Sequence, residues 1–354
     1  MLPCVYRVAL HTTVALLSAA TALHADIRHV AEYESVMIPC STRAYQERLM
    51  ALRRFTVDGR EMFLVVERDT LRTRVEPRDA LTIDGGPRHA SFGPDGSAWA
   101  SAVLSSASPP YRIHNGGIRN FSRDLEGAVL SVDLCPSKHP LQRQIFTMTA
   151  NAFESRGTPV PVSLCVSGLW LENHEDDLKW LRDLEAKGKI VITWVNHSYT
   201  HPREFRPSPR TLRKGFLLSK GVDFGKEVLL AETRMLERGL VPSVFFRFPG
   251  LVSDGRLMEK LKEFGLIALG SDAWLAKREP LRNGSVILVH GNGHEKAGIG
   301  KYFSHLERRK RKIARGEWKL LDVRDCTAAA FRRHHDWRYV PRTARLVGLT
   351  GTWW

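Results

Sequence analysis

The feature that most constrains this chain is an alternation that begins at Gly127. From there, short apolar runs alternate with longer amphipathic stretches. The runs are Ala128–Leu134, Val160–Val166, Ile190–Val195, Ser243–Phe248, Leu266–Leu269 and Ser285–Val289. Helical patterns between and after them cover Leu141–Ser155, Glu175–Lys187, Gly225–Arg238, Gly255–Phe264 and Gly298–Arg315. Runs with no polar alternation belong to strands buried on both faces. Repeated strand–helix units of this kind predict a parallel sheet covered by helices. The expectation is an α/β fold in the form of a compact, incomplete (β/α) barrel, with residues 203–224 as a loop insertion.

The preceding segment, 26–125, reads differently. A strand at Glu61–Glu67 follows the turn Val57-Asp-Gly-Arg60, and further strands are predicted near Ala80–Ile83 and Ala98–Leu104. Turn signals lie at Asp84-Gly-Gly-Pro87, Gly93-Pro-Asp-Gly96 and Ser108-Pro-Pro110. Residues 40–54 look helical on the spacing of Ala44, Leu49 and Leu52. The expectation is a small β-rich or α+β N-terminal region of unknown role.

The ends of the chain bear on compartment and partner. In residues 1–25, Arg7 precedes an apolar stretch, Val8–Ala22, followed by small residues up to Ala25. That reads as a secretory signal peptide, so export to periplasm, envelope or medium is expected. No later apolar run reaches the ~20 residues of a spanning helix, so no integral span is expected after cleavage. The net charge of +15 would suit nucleic acid. However, residues 301–354 hold fourteen basic and only five acidic side chains, so most of the excess sits in the tail. With an export signal and no recognition motif, an anionic envelope polymer is expected and nucleic acid is not. Residues 126–315 are taken as the catalytic domain and 316–354 as a basic C-terminal extension. Beyond the signal, Cys40, Cys135, Cys165 and Cys326 are too few for a disulfide scaffold, though one bridge is allowed.

Active sites of α/β barrels lie at the carboxyl ends of the strands. The residues at and just past the run ends are polar: Asp133-Leu-Cys-Pro-Ser137, Asn196-His-Ser-Tyr-Thr-His201, Arg247-Phe-Pro-Gly250, Ser271-Asp-Ala-Trp274 and His290-Gly-Asn-Gly-His294. His197 and His201, four apart, suit one divalent metal held from a single turn. Such a metal polarises a carbonyl and acidifies water. Asp133 would then be the base, with Arg247 orienting it. His290 would protonate the leaving amine, and Asp272 would hold that imidazole and raise its pKa. Asn292 lies close enough to His290 in sequence to touch substrate. This set describes a hydrolase of amide or ester bonds.

On these motifs the chain resembles the NodB-type polysaccharide deacetylases, carbohydrate esterase family 4, over residues 127–300. The five motifs stand in family order, and the His197–His201 motif is the most specific. The resemblance implies a distorted (β/α) barrel that removes acetyl groups from an N-acetylated polysaccharide. Zinc is the implied metal, with cobalt or nickel as substitutes. By the same resemblance His197 and His201 are ligands, Asp133 and His290 are base and acid, and Arg247 and Asp272 are their orienters. Trp274 would wall the acetyl pocket, with Pro249 also on the substrate side. One departure stands out. The family's first motif ends in two aspartates, base then ligand, whereas here Leu134 follows Asp133. Three completions of the site are open: Asp133 itself ligates, the two histidines hold a weakly bound metal, or a side chain such as His139 supplies the third ligand. A catalytically impaired glycan-binding protein and an O-acetyl esterase are the alternative functions.

Overall fold

The computed structural model describes residues 29–43, 47–84, 95–203 and 211–332. The expected signal peptide, the turn glycines at 85, 86 and 93, and residues 333–354 lie outside them. The N-terminal unit is an antiparallel sheet of β1 (Val30–Thr42), β2 (Arg48–Val57), β3 (Arg60–Glu67), β4 (Thr73–Pro77) and β5 (Leu81–Ile83), in the order β4-β3-β2-β1-β5. Asp58 and Gly59 both take positive φ, 50° and 76°, which is the geometry of a two-residue hairpin between β2 and β3.

Two expectations in this unit fail. Residues 48–54 are extended within β2, not helical, and β2 carries an irregularity between Ala51 and Arg53. That extra residue shifts the alternation, so Leu49, Ala51, Leu52, Arg53 and Phe55 are all buried. The resulting spacing imitates a helical stripe. Conversely, Ala98–Ser106 is a helix, α1, capped by the Ser97 hydroxyl, which accepts from the Ala100 amide at 3.2 Å. Its small residues are buried almost all round, so it lacks the polar face that marks a helix in sequence.

From Gly127 the chain forms the expected parallel sheet. In chain order it comprises β6 (Gly127–Leu134), α2 (Gln144–Phe153), β7 (Val160–Val166), α3 (Gly168–Asn173), α4 (Glu175–Ala186), β8 (Ile190–Asn196) and α5 (Phe224–Glu237). Then follow β9 (Phe245–Phe246), α6 (Gly255–Glu263), β10 (Ile267–Ala268), β11 (Ala273–Trp274), β12 (Val286–His290), α7 (Lys296–Arg315), β13 (Lys319–Leu320) and α8 (Val323–Phe331). The strands run β10-β9-β8-β7-β6-β12-β11, with β13 added beside β6. The sheet curls into a half-barrel, a distorted (β/α) barrel beside the separate antiparallel sheet. Among the described residues β10 and β11 do not pair. The segment 114–120 seals that gap through bridges to Val252, Leu269 and Ser285. Gly117, at φ 81°, passes β10 so closely that any side chain there would overlap the Ala268 carbonyl.

The period of two along β6 sorts its side chains. Ala128, Leu130, Val132 and Leu134 join the outer core with residues of α2, α4 and α7. Val129 faces inward and packs with α1 and α8. Residues 319–331, part of the expected extension, pack onto the barrel, with β13 pairing β6 and α8 lying against α1. One buried ion pair ties the two units together. Arg53 on β2 donates from Nε and Nη2 to the Glu232 carboxylate on α5, at 2.7 and 3.1 Å, and both side chains are fully buried. No described helix is long and apolar enough to cross a membrane, and all four described cysteines are free.

Candidate active site

Ser131, Asp133 and Cys135 are spaced two apart, and the strand period carries all three toward the barrel axis. Leu134 points the other way, into the outer core, so it neither blocks nor serves the site. Asp133 is buried. Its Oδ1 lies 3.5 Å from Nη1 of Arg247 and its Oδ2 lies 3.8 Å from Nε2 of His197. Arg247, just past β9, is fully buried, and its Nη2 donates to the Ser131 hydroxyl at 2.8 Å. A guanidinium so enclosed needs an anion beside it, and Asp133 is the carboxylate within reach.

The histidine loop is held in a demanding conformation. Ser198 and His201 sit at φ 65° and 47°, a region costly for residues with a side chain. The Glu227 carboxylate on α5 offsets that cost by accepting from the Tyr199 and Thr200 amides at 2.9 Å each and from the Thr200 hydroxyl at 2.6 Å. The Asn196 side chain accepts from the Ser198 amide at 2.9 Å. His197 Nδ1 lies 2.8 Å from the Arg247 carbonyl, which only accepts. Nδ1 therefore carries a proton, and the Nε2 lone pair faces the interior.

That lone pair meets a group to which the sequence motifs give no role. Cys135 Sγ lies 3.7 Å from His197 Nε2. Cys135, His197 and His201 each offer a donor atom within 4.8 Å of the others, and all three are buried. Both ring nitrogens of His201 lack a hydrogen-bond partner although the residue is only 6% exposed. Unpartnered buried imidazole nitrogens beside a thiol are costly as they stand and fit a divalent metal. His139 is exposed and stands outside this group, as does Asp133.

On the other flank, His290 ends β12. Its Nδ1 bonds Glu295 Oε2 at 2.8 Å, and the same oxygen accepts from Trp274 Nε1 at 2.7 Å. This corrects the expected partner. Asp272 instead pairs with Arg123 at 2.6 Å and accepts from the Val286 amide at 3.1 Å, so it braces β11 and β12. The reason is direction: Asp272 precedes the short strand β11, whereas Glu295 lies on the loop beyond β12 and turns back over His290. Asn292 is also corrected. It is fully buried and donates to the Cys135 carbonyl at 2.8 Å, holding the turn after β6 rather than offering a surface to substrate. Pro249 is buried in the turn after Arg247. Trp274 lies beside His290, with ring centres 5.9 Å apart, and its indole is covered by the Lys277 ammonium at 3.5 Å.

The charges are coupled. Burial alone would raise the Cys135 thiol, but the imidazoles of His201, His197 and His290 outweigh it and hold it well below the ordinary thiol range. Burial would lower His290, but its bonds to Cys135 and Glu295 hold it well above its ordinary value. His197 is likewise raised, by Cys135 and Asp133, against the effect of burial. Glu295 is lowered by His290 although burial opposes this. The site is thus a cluster of imidazoles gathered around one sulfur, with a carboxylate on each side.

No family model matches the sequence. Solved structures similar to this chain include a family 4 carbohydrate esterase from Bacillus anthracis, at 17% identity and TM-score 0.42, covering 60% of this chain and 87% of that one. A peptidoglycan N-acetylglucosamine deacetylase is similar at 14% identity and TM-score 0.40, over 58% of this chain and 89% of that one. A CE4 family pseudoenzyme from Bacillus anthracis is similar at 12% identity and TM-score 0.38, over 59% of this chain and 68% of that one. At such distances the functional reading rests on this chain's own side chains.

Proposed function

We propose that this chain is an exported, metal-dependent hydrolase that removes acetyl groups from an N-acetylated wall or envelope polysaccharide. One observation carries the reading: buried, unpartnered imidazole nitrogens at the carboxyl ends of the strands, flanked by Asp133 on one side and the His290–Glu295 pair on the other. His197 and His201 would hold the metal, which when bound would supply a Lewis acid to polarise the acyl carbonyl and acidify water.

The chain's own groups then divide the proton transfers. Asp133 accepts the proton of the attacking water. Arg247, 3.5 Å from that carboxylate, keeps it in place. His290, protonated, passes a proton to the departing amine, and Glu295 fixes its ring through Nδ1. Trp274 forms an apolar wall beside His290 and excludes water from the acetyl group. Basic side chains clustered late in the sequence draw the chain to an anionic envelope polymer; nucleic acid is not the partner proposed.

The test is acetate release from N-acetylglucosamine oligomers by the full chain supplied with zinc. Comparison with acetylated xylan separates amide from ester cleavage. Metal binding without acetate release from either substrate would favour the glycan-binding alternative, whose support is Leu134 in place of a second carboxylate.

A pH prediction arises from His290. The acid form is the active one, and it is lost as pH rises through a pKa that Cys135 and then Glu295 hold above the ordinary histidine value against the effect of burial. Glu295→Gln removes that contribution. The alkaline limb of the kcat profile is expected to move to lower pH, with a lower plateau. An unmoved limb would refute Glu295 as the partner of the acid.

A further inference from the structure

We infer that Cys135 is the third protein ligand of the metal, bound through its sulfur, so that this site is a one-sulfur, two-nitrogen centre rather than a carboxylate one. The inference rests on the metal reading above and adds the identity of the missing ligand. The sequence position that a second aspartate would fill is Leu134, which faces the outer core. The next residue, Cys135, recovers the inward direction through the strand period. Its sulfur is the donor that completes the His197 and His201 pair within 4.8 Å.

The distance agrees with coordination. Zinc–sulfur bonds of about 2.3 Å and zinc–nitrogen bonds of about 2.0–2.1 Å at a tetrahedral angle separate sulfur and nitrogen by about 3.6 Å. The separation between Cys135 Sγ and His197 Nε2 is 3.7 Å. His201, nine-tenths buried with both ring nitrogens unpartnered, faces the same point. The Asn292 amide holds the Cys135 carbonyl at 2.8 Å, and the Arg247 carbonyl holds His197 Nδ1 at 2.8 Å, so two of the three ligands are oriented from behind. Three protein ligands leave a fourth tetrahedral position open, as a catalytic rather than structural centre requires. A sulfur donor also changes which metal is preferred. Thiolate selects zinc and cobalt over magnesium, calcium or manganese, which favour oxygen donors.

The test is cobalt substitution of the full chain, read by absorption. Wild type is expected to bind cobalt stoichiometrically with an intense near-ultraviolet thiolate-to-cobalt charge-transfer band. Cys135→Ser is expected to lose the band. Cys135→Asp is expected to keep stoichiometric cobalt without it, which covers the case where the serine variant does not fold. Zinc is expected to displace the cobalt, and an excess of manganese to leave the band unchanged. Stoichiometric cobalt without the band in wild type, or with the band intact in either variant, overturns the sulfur ligand and leaves the two-histidine reading standing. A folded wild type that retains neither cobalt nor zinc overturns both.

Discussion

Replacing Asp133 with asparagine is expected to reduce kcat for acetate release by on the order of 10²–10⁴-fold while the metal stays bound. The substitution keeps shape and removes only the ability to accept a proton. Asp133 lies beside the histidine pair without belonging to the donor group, since Cys135, His197 and His201 alone make up that group among the described residues. The metal content of Asp133→Asn should therefore match wild type, in contrast to His197→Ala, which should lose the ion. Arg247, left facing a neutral amide, gains no new partner, so any further effect is loss of rigidity at the base position. Metal analysis beside single-turnover acetate release separates these effects. Acetate release at the wild-type rate by both Asp133→Asn and His290→Ala would refute the roles given to the base and the acid.

The second large effect concerns stability. Arg53→Ala is expected to cost about 3–5 kcal/mol, because it leaves the Glu232 carboxylate buried without its cation. The pair is fully enclosed, and Glu232 also accepts from the Tyr33 hydroxyl at 3.0 Å. Arg53 in addition donates to the Phe264 carbonyl at 2.8 Å, so one side chain reaches from the N-terminal sheet to both α5 and the turn after α6. Urea unfolding should show a marked fall in midpoint for Arg53→Ala. The double replacement Arg53→Met with Glu232→Leu should recover much of the loss, since the penalty comes from the orphaned charge rather than from the missing bond. A single variant within about 1 kcal/mol of wild type would show that water reaches the pair and that the two units are held by apolar packing alone.

Much of the barrel is legible in the sequence because its strands obey one simple rule. The apolar run Val160–Val166 coincides with its strand to the residue, and Ile190–Val195 and Ser285–Val289 agree to within one position at each end. Continuous apolar runs have no other reading when helical patterns follow each one. The failures have physical causes. The irregularity in β2 breaks the alternation that marks a strand, and burial around α1 erases the polar face that marks a helix. The two-residue strands β9, β10 and β11 are set by neighbours across the sheet, not by their own composition.

The site divides the same way. Asp133, His197, His201, Arg247, Trp274 and His290 are identifiable from strand ends and motif order, and the chain brings them to one mouth. Cys135, the residue just past β6, carries one readable signal, its parity with Asp133 on that strand. Glu227 and Glu295 carry none: a carboxylate on a helix and another on a loop look like any solvated acid until the fold turns them inward.

By itself, then, the sequence determined the parallel sheet, the end of it at which the candidate groups gather and most of those groups. These come from periodicity and from which residues sit at run ends, both local properties of the chain. Only the tertiary structure decided which groups touch: Glu295 rather than Asp272 on His290, and Cys135 rather than Asp133 or His139 completing the donor group of His197 and His201. Those choices depend on the directions of loops from different strands. Such directions are fixed by contacts between residues far apart in sequence, where no local spacing records them.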